Sequence, residues 1–274
     1  MFRSFLKITA LSLIFTTPAF AQTWATVATP SQGEPQVIGD TNNGCIAGAH
    51  ALPTQGDGYL VVHLERHRYF GHPNLIQTLQ ELGKQAQQQH LGLVQIGDLG
   101  QARGGLMPFG HRSHQSGLDA DVWFNLDPKI YAHANELRSN IKFPSMLIDE
   151  QQGINHDLWT DKHIELLRIT AQLPEIDRIF VNPHIKKELC DKVTENREWL
   201  HKIRPWFFHD DHLHLRLRCP EDSPDCKKQG TIPAGDGCGS ELMSWFPMRP
   251  IKAHGSTKPK PPMPKACAQV LTAP

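Results

Sequence analysis

The sequence predicts an α+β domain: a mainly antiparallel central sheet, flanking helices and disulfide-tethered loops. Three observations lead there. Leu213, Leu215 and Leu217 alternate with His212, His214, Arg216 and Arg218, the two-residue period of a half-buried strand. Leu75, Ile76, Leu79 and Leu82 recur instead at the spacing of one helical face. Six cysteines, at 45, 190, 219, 226, 238 and 267, include no C-x-x-C pair. An even count in an exported chain suits disulfides better than a thiolate metal site.

Export is read from the first 21 residues. Arg3 and Lys7 precede an apolar stretch from Ile8 to Phe15, and Ala19-Phe20-Ala21 is a small-x-small cleavage site. This is the layout of a signal peptide. The stretch falls short of the ~20 residues that cross a bilayer, and no later segment is apolar enough to do so. Cleavage after Ala21 leaves a single domain over residues 22–274, with a Pro-rich tail from about 257. Its 253 residues carry 26 basic and 28 acidic side chains, a formal charge of −2 once Arg3 and Lys7 are removed. That balance gives no support for nucleic-acid binding.

Along the domain, residues 22–60 are rich in Gly, Pro, Thr and Asn and read as an irregular arm tethered at Cys45. Residues 74–89 are helical behind Pro73, and Leu91 to Leu99 is a short strand. Residues 100–117 hold five glycines and no periodicity, so they form a loop. Leu118 to Leu126 alternates as a strand, with Asp119 and Asp121 on one face. Residues 131–138 are weakly helical. Thr160 caps a helix to about 172, with Ile164, Leu167 and Ala171 inward. Ile176 to Val181 is a strand, 183–190 and 195–203 are short helices, and the chain after 219 is loop-like. Residues 257–264 form a stiff extended linker.

Five of the sixteen histidines fall in two windows, His111 to Asp121 and His209 to His214, each mixing imidazole with carboxylate. Zinc takes such ligands, and a catalytic site keeps one position open. His114, Asp121 and His214 would supply N, O and N, completing the fold expectation with a metal site at one face of the sheet. Gly117 lets the backbone turn between the first two. His214 must come from a neighbouring strand, ~4.8 Å away. His212 shares the polar side of that strand and could act as general base on a metal-activated water. His209 could donate a hydrogen bond to the developing oxyanion. Asp119 could replace Asp121 as ligand or orient a ligand imidazole. His111 could bind a second ion, hold substrate, or do neither. The bland alternative is a pair of solvent-facing histidine-rich strand ends. Trp206, Phe207 and Phe208 either line a cleft or fill the core, and His50, His63, His90, His133, His163 and His254 read as surface residues. Neither HExxH nor GxSxG occurs.

The HxxGxxxD pattern followed by HxH resembles the zinc peptidases that include D-Ala-D-Ala dipeptidases and carboxypeptidases. Within that group the chain is similar to the penicillin-insensitive murein endopeptidase family along nearly the whole mature length. The likeness is carried by Asn43-Gly44-Cys45-Ile46, Arg68-Tyr69-Phe70-Gly71-His72-Pro73, Ser113-His114-Gln115-Ser116-Gly117-Leu118-Asp119, Ile179-Phe180-Val181-Asn182-Pro183, Arg204-Pro205-Trp206-Phe207, Leu215-Arg216-Leu217-Arg218-Cys219-Pro220 and Gly235-Asp236-Gly237-Cys238-Gly239. The resemblance implies a periplasmic enzyme acting on peptidoglycan at the amide between D-alanine and meso-diaminopimelate. It implies zinc on His114, Asp121 and His214, His212 and His209 as the non-ligand histidines, and His111 near a second metal. It also implies disulfides Cys45–Cys267, Cys190–Cys238 and Cys219–Cys226. Some members offer a further Asp and His for the extra metal; here Leu147 to Gly153 does not match both and leaves Asp149 and Glu150. Two alternatives remain: a D-Ala-D-Ala carboxypeptidase or dipeptidase, and an exported metal- or wall-binding protein without catalysis.

Overall fold

A computed structural model describes residues 23–126, 141–246 and 261–274. The leader, the weak helix at 131–138, His133, His254 and the start of the Pro-rich linker lie outside the described residues. In chain order the strands and helices are β1 (Gln36–Asp40), β2 (Asn43–Ala47), β3 (His50–Ala51), β4 (Gln55–Gly56), β5 (Tyr59–Val61), β6 (Phe70–Gly71), α1 (Pro73–Gln88), β7 (Val94–Ile96), β8 (Asp119–Trp123), β9 (Leu147–Asp149), β10 (Gly153–Ile154), α2 (Asp161–Gln172), β11 (Ile176–Val181), α3 (Pro183–Lys192), β12 (Ile203–Pro205), β13 (His212–Leu217), α4 (Ser240–Met243) and α5 (Lys265–Thr272).

The β13 alternation becomes an interior strand of a seven-stranded sheet, ordered β12-β11-β13-β8-β7-β5-β4. The β11–β12 and β5–β7 pairs are parallel and the rest antiparallel, so the sheet is mixed but mainly antiparallel. Leu213, Leu215 and Leu217 are buried in the main core, as are Leu75, Leu79 and Leu82 of α1. Each such leucine contributes roughly 1.5–3 kcal/mol by leaving water. α1 also packs on α2. The inward stripe of α2 is Leu166, Leu167, Thr170 and Ala171, while Ile164 stays half-buried at its edge. Thr160 does cap α2, in a box whose other half is His163 Nδ1, 2.9 Å from the Thr160 N–H.

Several sequence expectations are corrected. Residues 36–47 are not irregular: β1 and β2 pair from Gln36↔Ala47 to Asp40↔Asn43. Val37 and Ile46 enter the main core, and Ile38 and Cys45 pack with Cys267 and Val270 of α5. Composition concealed this hairpin because its apolar residues are few and both faces are used. The second short helix is a five-residue 3₁₀ turn, Glu198–Lys202, burying Trp199 and Leu200. The chain after 219 contains α4 and α5. His163 is buried with Nε2 2.8 Å from the Phe124 carbonyl, and His63 is buried edge-on to Trp123, so neither is a surface residue. His50 and His90 are exposed as expected.

All three disulfides form as the resemblance implied, Cys45–Cys267, Cys190–Cys238 and Cys219–Cys226. The first joins residues 222 apart in sequence and ties α5 to the hairpin. In the chain-entropy picture a loop of that size is worth on the order of 5 kcal/mol. Replacing Cys45 and Cys267 together with serine should lower the melting temperature by about 10–20 °C. Differential scanning calorimetry reads this; a fall under 2 °C would show that the bridge does not restrain the unfolded chain.

Candidate metal centre

The site begins with a strand register. β13 runs antiparallel to β8 with Trp123, Asp121 and Asp119 opposite His212, His214 and Arg216. Both strands alternate with period two, so these six side chains share one face, the face away from the leucines. Here two carboxylates, Asp119 and Asp121, are both fully buried. Arg216 answers the first: its Nε and Nη2 donate to Asp119 at 2.7 and 2.9 Å. Asp119 also accepts the His114 backbone N–H at 3.1 Å. Asp121 has no such arginine.

The glycine-rich loop returns His114 to this face. His114 stands at φ +67° and Gly117 at φ +71°. A Cβ on Gly117 would lie 2.7 Å from Ile46 Cδ1, so both the turn and the close approach to β2 require glycine there. Gln115 anchors the loop to the β1–β2 turn: its N–H donates to the Thr41 carbonyl at 3.0 Å and its side-chain amide to the Asn42 carbonyl at 2.9 Å.

Four imidazoles surround Asp121. His114 Nε2 is 3.4 Å and His214 Nδ1 3.2 Å from Oδ1, His111 Nδ1 is 3.3 Å from Oδ2, and His212 Nε2 is 3.6 Å from Oδ1. The His209 ring lies 5.1 Å from that of His212 and 5.6 Å from that of His214. All the sequence-predicted site residues therefore converge. Both ring nitrogens of His114, both oxygens of Asp121 and Nε2 of His214 are buried without a hydrogen-bond partner. Leaving one buried polar atom unpaired costs about 1–3 kcal/mol; one cation satisfies several of these at once. Two overlapping sets present ligand atoms within 4.8 Å of one another, His111 with His114 and Asp121, and His114 with Asp119 and His214. Hard oxygen and borderline nitrogen donors suit zinc and its first-row neighbours. Asp119, already engaged by Arg216 and a backbone N–H, has its Oδ2 3.4 Å from His214 Nε2, within reach of the same ion or of that ring.

Protonation follows from the same packing. Burial drives His114 down to about 4 and His209 to about 3. Burial works against ionised Asp121, yet His212, His114 and His111 outweigh it and hold the carboxyl well below its ordinary range. His214 is buried too, but Asp119 and Asp121 raise it to about 9 in the metal-free protein. Burial likewise opposes a charge on His212; Asp121 and Asp211 overcome it and raise the imidazole.

One residue of the site escaped the sequence reading. Asp98, at the end of β7, is buried with Oδ2 3.1 Å from His111 Nε2, and it accepts from Arg68 at 2.8 Å and Arg66 at 3.2 Å. A lone aspartate after an apolar run carries no periodic signal; only the Gly97-Asp98 step hinted at it. Asp149 and Glu150 are engaged elsewhere, Asp149 with the Gln151 and Gln152 N–H groups and Glu150 with the Asn182 amide. Trp206 and Phe208 are exposed rather than core, and Phe207 packs against Trp245.

Buried nitrogen and oxygen donors left unpaired on one face of a sheet, with further imidazoles beside them, define the class: a metal-dependent hydrolase. The chain belongs to the penicillin-insensitive murein endopeptidase family, peptidase M74, whose model matches residues 37–272. It is 43% identical over 255 residues to the penicillin-insensitive murein endopeptidase of Haemophilus influenzae, covering 92% of this chain and 88% of that protein. Proteins with the same description from Yersinia pestis and Salmonella newport are 43% and 42% identical, over 95% and 97% of this chain and 94% and 98% of their own lengths.

Arg216→Leu should destabilise the fold by about 3–5 kcal/mol, because it strands a buried carboxylate. Urea unfolding reads the change. A loss below 1 kcal/mol would mean that Asp119 does not depend on this arginine.

Proposed function

We propose that the protein is a zinc-dependent endopeptidase that opens D-alanyl–meso-diaminopimelate cross-links in peptidoglycan, after its leader is removed and residues 22–274 reach the periplasm as one domain. Family membership supports the murein substrate. The observation that carries the chemistry is the set of unpartnered buried atoms on His114, Asp121 and His214. Three disulfides and no free cysteine among the described residues agree with an oxidising compartment.

His114, Asp121 and His214 would hold the ion, and His111, beside Asp121, would serve a second. A bound divalent cation supplies Lewis acidity, polarising the amide and bringing water toward a pKa of about 7. The remaining work falls to the protein. His212 Nδ1 lies 2.5 Å from Asp211 Oδ1, which fixes its tautomer and leaves Nε2 on the Asp121 side to take the proton of the attacking water. The same imidazolium then returns that proton to the leaving nitrogen. His209 Nδ1 donates to the Phe207 carbonyl at 2.8 Å. In that neutral tautomer Nε2 is a lone-pair acceptor, so His209 holds a substrate N–H; donation to an oxyanion, expected from the sequence, would need the imidazolium. With no serine nucleophile in use, a β-lactam has nothing to acylate.

Two variants assayed together on purified cross-linked muropeptides test this reading. His214→Ala should lose metal and turnover together. His212→Ala should keep stoichiometric metal and slow hydrolysis by about 10²–10⁴-fold. Retained zinc with full turnover in the first, or metal loss in the second, reverses the assigned roles. Release of D-alanine from uncross-linked pentapeptide, with cross-links untouched, would mark a carboxypeptidase. Zinc binding without hydrolysis of either would mark a binding protein.

Zinc uptake should also be proton-linked. His214 holds a proton below about 9 in the metal-free protein, and a ligand nitrogen must shed it. Affinity should therefore rise with pH up to about 9, with about one proton released per ion at pH 7. Calorimetry in buffers of different ionisation enthalpy measures this; no release would show that His214 is already neutral or is not a ligand.

A further inference from the structure

Beside the metal cluster lies a cavity of about 580 Å³ whose wall includes Arg66, Arg68, Phe109 and Lys142. Three cationic side chains, Arg66, Arg68 and Lys142, face it against two carboxylates, Glu65 on the wall and Asp98 behind it. Arg68 is buried and fully engaged: it donates to Asp98 at 2.8 Å and to the Phe109 carbonyl at 3.1 Å, with its guanidinium 4.2 Å over the Phe109 ring. Arg66 differs. It is half-buried, makes one hydrogen bond, to Asp98 at 3.2 Å, and has its Nε 3.8 Å from Glu65. The rest of its planar fork of donors is available to the cavity. Lys142 is exposed, with no ion pair or hydrogen bond among the described residues.

The cavity is coupled to the metal cluster by one atom. Asp98 Oδ2 accepts from Arg66 and Arg68 on the cavity side and meets His111 Nε2 at 3.1 Å on the other. His111 Nδ1 in turn stands 3.3 Å from Asp121. Asp98 and His111 thus relay the cavity wall to Asp121 through three successive side-chain contacts. Arginine offers the bidentate geometry that fits a carboxylate, and a concave wall strengthens the attraction.

We infer that this cavity is a subsite for the carboxylate adjacent to the leaving nitrogen of the substrate, with Arg66 and Lys142 as its specificity-determining residues. The inference rests on the cross-link assignment made above and deepens it. In a D-alanyl–meso-diaminopimelate amide, the carbon bearing the amide nitrogen also bears a free carboxylate. When the amide lies over the metal, that carboxylate is one carbon removed from the reacting bond and must be received by neighbouring protein. A cationic recess sharing Asp98 with the metal cluster is the receiver that the structure offers. A neutral or amidated substituent at that carbon leaves Arg66 and Lys142 unanswered, so the recess selects the free acid.

Binding tests this independently of turnover. The probes are the uncross-linked meso-diaminopimelate tetrapeptide, whose free amine and carboxylate mimic the released product, and its counterpart amidated at that carboxylate. Calorimetry on the zinc-loaded full chain should show the acid binding about tenfold tighter than the amide, the effect of one charge-assisted contact. Arg66→Gln and Lys142→Gln should each erase most of that preference and leave the affinity for the amide unchanged. Lys142 is exposed, so its variant guards against a folding artefact, and metal analysis should find full zinc in both. Equal binding of acid and amide by the unaltered protein, or a preference surviving in the double variant, would overturn the subsite. Cleavage of cross-linked dimer by the unaltered protein is scored separately: selective binding without cleavage would sink the endopeptidase reading and leave the subsite standing.

Discussion

Two carboxylates on one strand, both sealed from water, set the terms for this molecule. Asp119 and Asp121 stand two residues apart on β8 and face the same way. Burying one ionised carboxylate without a partner costs several kcal/mol, and burying two side by side adds their repulsion. The protein resolves this by treating them differently. Asp119 meets a guanidinium that is always charged, and so becomes a fixed part of the scaffold. Asp121 meets only imidazoles, which can lose a proton to solvent and so can neutralise or charge with their surroundings. The inert pair and the imidazole-ringed carboxylate are thus neighbours on one strand, with His214 within 3.4 Å of both.

The surroundings make that difference durable. The loop that carries His111 and His114 has little regular structure of its own. It is held from behind by the β1–β2 hairpin, through Gln115 on the turn and the bridge between Cys45 and Gly104. Arg103, within the loop, donates to the carbonyls of Val270, Leu271 and Ala273 at the end of α5 and to that of Thr29. The Cys45–Cys267 bridge locks the same helix to the same hairpin. A glycine-rich segment holds His111 and His114 in defined positions because three distant parts of the chain clamp it.

Asp98 extends the logic outward. It stands between arginines that belong to a cationic recess and an imidazole that belongs to the metal cluster. The charge balance of the recess and that of the histidine cluster are therefore linked through one carboxylate.

Much of this was legible in the residues alone. The two-residue period of 212–217, the helical spacing of 75–82 and the pairing of two histidine windows came through because each is a local repeat or a chemical type that few segments share. Thr160 as a cap and Gly117 as a turn followed from backbone sterics. Tertiary structure alone decided the rest: that Trp123, Asp121 and Asp119 lie opposite His212, His214 and Arg216, that Arg216 answers Asp119 and leaves Asp121 among imidazoles, that His163 and His63 are interior, that residues 36–47 form a hairpin, and that Asp98 joins His111. The physical reason is range. Sterics and hydrophobic periodicity act between residues a few positions apart and are written in the order of the chain, whereas charge balance in a buried site depends on which distant groups the sheet register brings within about 3 Å, and the order of residues does not carry that distance.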